Sequence, residues 1–207
     1  MNKTLGILVI LAIATPASTL LAQVKFRDGI FANIDMVRTN SPIPATWIET
    51  DMEAGDRKFY KNITRSNEII FYDDNGVRSV LDTRSIWGYS YRGDLHINVG
   101  GAFHKIDFVG RLSHFVASKT TYEELHSPGD IMYFPPVLVT TKNQEYIVDI
   151  VENKVWAFNL EGMKMVLKND PQLLDEFMSL TKREQNNSMY IFLTRYNEKY
   201  PLEFSGY

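Results

Sequence analysis

An apolar run over residues 5–14 gives way to alternating apolar and polar positions from about residue 59 to 120, and then to apolar residues three and four apart beyond residue 160. A period near two marks a half-buried strand and a period near 3.6 an amphipathic helix, so the chain reads as leader, strands, helices. Residues 68–72 and 77–81 flank Asp73-Asp74-Asn75-Gly76, where Asn-Gly predicts a type I′ hairpin turn. Residues 85–89 and 94–99 flank Tyr91-Arg92-Gly93; Gly100-Gly101 leads on to 103–109, and 111–118 completes the meander. Its about five or six strands are rich in aromatic and β-branched residues, which suit a pleated surface. Residues 122–129 are polar and read as a loop or short helix. Pro135-Pro136 makes 131–140 an edge strand or a crossing connection, because proline brings no N–H to a central ladder. A last hairpin joins 145–150 to 154–158 around Glu152-Asn153.

Leu160, Met163, Val166 and Leu167 recur at helical spacing. Asp170-Pro171 reads as an N-cap followed by proline at the first helical position, opening a helix with Leu173, Leu174, Phe177, Met178 and Leu180 on its apolar side. Lys182 and Arg183 close that helix favourably for its dipole, and Ser188 caps a final helix carrying Met189, Phe192, Leu193 and Tyr196. The predicted fold class is α+β: an antiparallel meander, curled or packed as a sandwich, followed by two or three C-terminal helices. The chain divides into a leader over 1–22, a loop-rich lead-in over 23–56, an antiparallel β domain over 57–159, and a helical region over 160–207 packed on the same domain.

The leader has the pattern of a signal peptide: Lys3, the apolar run, a break at Thr15-Pro16, then the small residues Ala17, Ser18 and Ala22. Cleavage after Ala22 leaves Gln23 first; Leu20 is large for its place before that cut, which leaves a cut after Ala17 open. An uncleaved anchor is the alternative, but the run falls short of the ~20 residues a span needs. The expected location is the periplasm or the extracellular space, with no stable transmembrane span after cleavage.

Composition narrows the function without naming it. Lysine and arginine number 22 against 25 aspartates and glutamates, a net charge of −3 with no basic cluster along the sequence, which argues against nucleic acid as a partner. The absence of cysteine excludes a disulfide framework, thiolate metal ligands, a cysteine nucleophile and a lipoprotein anchor. Neither Gly-x-Ser-x-Gly, Ser-x-x-Lys, His-Glu-x-x-His nor a Gly-rich phosphate cradle is present. No cofactor is implied. His96 and His104 flank Gly100-Gly101; a two-residue loop opposes Ile97 to His104 and sends the imidazoles to opposite faces, whereas a three-residue loop opposes them directly. Even then, His114 is the one other nearby ligand, so no metal site is predicted. Asp73-Asp74-Asn75-Gly76 lacks the distal glutamate of a calcium loop. Arg92-Gly93-Asp94 is an adhesion tripeptide, but a turn uses Gly and Asp anyway.

The most unusual feature is the aromatic density of the sheet region, including Phe59, Tyr60, Phe71, Trp87, Tyr89, Tyr91 and Phe103. Most such rings fill cores and cross-strand pairs; those sent outward form a platform for a ligand, and Trp87, Tyr89 and Tyr91 are the candidate binding residues. The expected role is a non-catalytic binding or accessory module for an envelope protein or a small ligand. The competing class is a hydrolase assembled only in three dimensions. A cleft holding His96, His104 or His114 beside a carboxylate favours the enzyme, and a flat apolar strip around Trp87 and Tyr89 favours binding.

Gly29-Ile30-Phe31 with Asn40-Ser41-Pro42, Ile86-Trp87-Gly88-Tyr89, Tyr196-Asn197-Glu198-Lys199 with Pro201, and a leader ending in Ala22-Gln23 together resemble small exported proteins of Bacteroidetes to which no function is assigned. The resemblance spans most of the mature chain. It implies a Gram-negative envelope setting and brings no catalytic residues with it.

Overall fold

A computed structural model describes residues 25–124 and 137–204; the leader, Pro135-Pro136 and most of the polar 122–129 segment lie outside the described residues. The described chain runs β1 (Gly29–Phe31), α1 (Ile34–Arg38), a 3-10 turn (Ala45–Trp47), α2 (Phe59–Ile63), β2 (Glu68–Tyr72), β3 (Arg78–Asp82), β4 (Gly88–Tyr91), β5 (Asp94–Val99), β6 (Ala102–Phe108), β7 (Leu112–Glu124), β8 (Val137–Asp149), β9 (Lys154–Ala157), α3 (Leu160–Leu167), α4 (Pro171–Ser179) and α5 (Lys182–Lys199). The predicted α+β class holds. One curled antiparallel sheet has the order β1-β4-β5-β6-β7-β8-β9, the meander with β1 added at its edge, and β2-β3 form a separate hairpin.

Alternation gives this sheet two apolar faces. The inner face gathers Phe31, Leu95, Ile97, Ile106, Phe115 and Val148 with Val37 of α1. Phe26 and Phe204, near opposite ends of the described chain, meet edge to face there at 5.2 Å. The outer face is covered at two separate places. Leu112 and Ile147 pack under α3, α4 and α5, while Ile30 and Tyr89 pack under α2 and the β2-β3 hairpin. The register of β6 against β7 shifts by a residue between Ile106 and Phe108, where Ile106 pairs with Phe115 and Phe108 with His114.

Several local expectations are corrected. Residues 59–63 form a helix rather than a strand, because Phe59 and Tyr60 on consecutive positions both bury against the sheet. The Asn75-Gly76 turn is not type I′: Gly76 alone has positive φ, its N–H bonds the Asp73 carbonyl, and Asp73 Oδ1 accepts from Asn75 N and Val77 N. The type I′ geometry falls at Arg92-Gly93 and Gly100-Gly101, where both residues of each pair have positive φ. The strand expected over 111–118 is the longer β7 and pairs with β8 along its whole length. Lys182 and Arg183 open α5 rather than close α4, because Thr181 and Glu184 form a reciprocal capping box. Ser188 therefore lies inside α5, where its hydroxyl donates to the Glu184 carbonyl.

Asp170 caps α4 as expected, accepting from Leu173 N at 3.2 Å, and also holds Lys199 at 2.7 Å. Burial raises the Asp170 pKa, but Lys199 and the Leu173 N–H more than offset this, leaving the carboxyl below its ordinary range. A depressed carboxylate contributes stability that is present above its unfolded pKa of about 3.9 and is lost as pH falls through the folded value. Asp170→Asn keeps the cap but not the charge. Its deficit against wild type in chemical denaturation is expected at pH 7 and to vanish in acid, whereas Asp170→Ala should lose about 1 kcal/mol more at every pH. Parallel pH profiles for wild type and Asp170→Asn would contradict this.

Candidate functional site

The two outer covers leave a strip of sheet between them. The register opposes Tyr89 to His96, Tyr91 to Asp94, His96 to Lys105 and Asn98 to Phe103, which sends all these side chains to the outer face. Leu95 and Ile97 point inward. Gly88 permits the close approach of β4 to β5, since a Cβ there would overlap the His96 carbonyl. Over this strip lie two adjoining cavities of about 620 Å³ and 410 Å³, sharing Lys61, Tyr89 and His96.

Their floor is a stack of rings. Tyr89 lies parallel to Tyr60 at 5.5 Å between centroids and to His96 at 4.4 Å, so it stacks on rings of both α2 and β5. Phe103 lies 5.4 Å from Tyr89, and Tyr91 lies 5.8 Å from Tyr60. Ring pairs of this kind contribute about 0.5–1.5 kcal/mol beyond their burial, which holds the floor rigid. Burial, with Asp28 adding to it, pushes the Tyr60 phenol up to about 12. Burial likewise raises Tyr89 and lowers His96, against the opposing pull of Asp94. At neutral pH the floor therefore carries no charge.

The rim differs sharply. Arg57, Lys61 and Arg65 stand four residues apart on α2 and its flanking turns, all exposed, and among the described residues they have no ion pair. Arg84 is held by Asp82 at 2.8 Å and Lys105 by Asp94 at 3.0 Å. The Arg92 guanidinium lies over the Tyr91 ring at 5.1 Å. Asp94 is the one carboxylate lining either cavity among the described residues.

Of the predicted binding residues, Tyr89 and Tyr91 meet in this groove with Tyr60 and Phe103. Trp87 does not join them: it is 9% exposed, belongs to the inner cluster and donates its indole N–H to Asn153 Oδ1 at 3.1 Å. The flat strip expected around Trp87 and Tyr89 is thus divided between the two faces of the sheet. His96 enters as a ring of the stack, a role not read from the sequence, and the cation row was missed although its four-residue spacing was visible.

The histidines do not converge. Ile97 opposes His104 across a two-residue loop, so His96 and His104 occupy opposite faces, and His104 lies 6.3 Å from Phe115. His114 Nε2 is 3.1 Å from the Tyr190 hydroxyl and 3.4 Å from Glu145, tying α5 to the sheet. Among the described residues no group of three His, Asp or Glu is placed to hold a metal ion. His96 Nδ1 faces the Asp94 carbonyl at 3.3 Å, and the Asp94 carboxylate is taken by Lys105. His96 and Asp94 line the same cavity, the pairing expected of an enzyme cleft, and none of the hydrogen bonds among the described residues links a hydroxyl to His96. No helix among the described residues is long and apolar enough to cross a membrane. No family model matches the chain, and neither a curated protein nor a solved structure is similar to it.

Proposed function

We propose that the chain is an exported, non-catalytic binding module of a Gram-negative envelope, and that its ligand occupies the groove between α2 and strands β4–β6. The observation that carries the binding reading is the Tyr60–Tyr89–His96 stack, a rigid uncharged floor under cavities of ligand size. Export rests on the leader pattern, and the Gram-negative setting on the sequence resemblance alone.

The test is a thermal-shift screen of the mature chain against a library of envelope and extracellular small molecules. A true ligand in about hundredfold excess over its Kd should raise Tm by about 5 °C or more. Tyr91→Ala/Phe103→Ala, which removes two half-exposed rings, should fold and lose the shift, and the ligand should be recovered chemically unchanged. A shift that survives the double variant would move the site elsewhere, and consumption of the ligand would establish an enzyme.

A further inference from the structure

We infer that the ligand is an acidic oligosaccharide whose successive anionic groups are met by Arg57, Lys61 and Arg65. This rests on the groove being the binding site and assigns the chemistry that the site selects.

Charge is the first argument. The whole chain carries a net −3, yet the two cavities are lined by six cations and a single carboxylate. A concave site of one sign focuses its field and raises the local concentration of oppositely charged ligand. Arg84, Lys105 and Arg92 already have partners, whereas the α2 row does not. Unpaired cations held side by side repel one another, and an anion among them relieves that repulsion.

Spacing is the second argument. Lys61 lies within α2, while Arg57 and Arg65 lie in the turns that precede and follow it, so the three line the groove one after another. One small anion reaches one or two such positions, while a polymer with an acid on each ring can reach all three. The row runs between the cavities, with Arg57 lining one, Arg65 the other, and Lys61 both.

The remaining lining is polar as well as aromatic. Tyr89 is buried in its stack with Tyr60 and His96, which leaves Tyr91 and Phe103 as the rings a ligand can reach. Beside the floor, the Ser66 and Asn67 side chains make no hydrogen bond among the described residues and are free to meet ligand hydroxyls. The groove therefore combines an uncharged floor, free polar groups and a line of cations, which matches a hydroxyl-rich ring polymer carrying acids.

Calorimetry of the mature chain with uronate and sulfated oligosaccharides, the methyl esters of the uronates and a single-stranded oligonucleotide tests this. An acidic oligosaccharide should bind at least about tenfold tighter than its neutral ester, with affinity falling as salt rises. Arg57→Gln/Lys61→Gln/Arg65→Gln should remove that preference and the salt dependence without changing Tm, since all three residues are exposed. Equal binding of acid and ester would overturn the charge assignment and leave the groove standing, provided Tyr91→Ala/Phe103→Ala still abolishes binding. Tighter binding of the oligonucleotide, or no binding by any acidic oligosaccharide, would overturn the inference. Binding untouched by either set of substitutions would remove the groove itself.

Discussion

Asn197→Leu is expected to cost about 2–6 kcal/mol, because it leaves a backbone N–H and a carbonyl buried without partners, each at about 1–3 kcal/mol. Asn197 lies on α5, is 8% exposed, accepts from Leu112 N and donates to Leu112 O, both at 2.8 Å. Leu112 opens β7 beyond the reach of β6, which pairs with β7 only through His114 and Phe115, so the amide takes the place of a neighbouring strand. Gly110 is part of the same joint, since its Cα faces the amide so closely that a Cβ would overlap it. Asn197→Asp separates the two bonds: its carboxylate accepts from Leu112 N but faces the carbonyl with nothing to donate. The folded pKa of that aspartate should be raised, so the variant gains stability as pH falls below the folded value and loses it as pH rises through it. Urea denaturation at pH 4 and pH 7 reads both effects. A loss under about 1 kcal/mol for Asn197→Leu would show that the amide is replaceable.

The second large effect is expected at Gly88. In Gly88→Ala the new Cβ overlaps the His96 carbonyl and comes within 3.3 Å of the Ile97 Cα. Gly88 is paired with Phe31 on one side and Ile97 on the other, so the strand has no free edge toward which to shift. Overpacking commonly costs about 1–3 kcal/mol, and a backbone clash in a strand paired on both sides belongs at or above the top of that range. Because β4 carries Tyr89 one residue on, the groove floor should be lost with it. Gly100→Asn is the control: it also replaces a glycine, but at φ 63° with open space around the Cβ, where asparagine is tolerated. Gly88→Ala should fall far below wild type in Tm and fail to bind, while Gly100→Asn stays close to it. Similar values for the two would show that β4 can yield.

The elements most legible in the sequence were those whose pattern is enforced by burial on one face. β5 alternates because an inner core takes one side, and α3 and α4 keep a 3.6 period because they lie on the sheet, whereas the strand expected over 85–89 is found at Gly88–Tyr91, with Tyr91 inside it rather than in the turn. Local signals failed where two readings share the same residues. Phe59-Tyr60 satisfies strand propensity as well as a short buried helix, and only contact with Tyr89 decides between them. Lys182-Arg183 suits a helix end electrostatically, yet Thr181 and Glu184, three apart, were the stronger sign of a helix start. Asn-Gly was read as the tightest turn, but Asp73 accepts backbone hydrogen bonds that stabilise a longer one. Half of the groove was legible in Tyr89 and Tyr91. The remainder was not: the spacing of Arg57, Lys61 and Arg65 was visible, but which way the row faces is set only by folding, and the ring stack comes from three elements that folding brings together.

The contact between Phe26 and Phe204 bears on the order in which the molecule is completed. The inner cluster draws on both of these neighbourhoods, with Leu202 part of it, so it stays open until nearly the whole described chain has been synthesised. Sealing it closes a loop spanning most of the polypeptide, which favours slow, late completion over stepwise folding from the first residues.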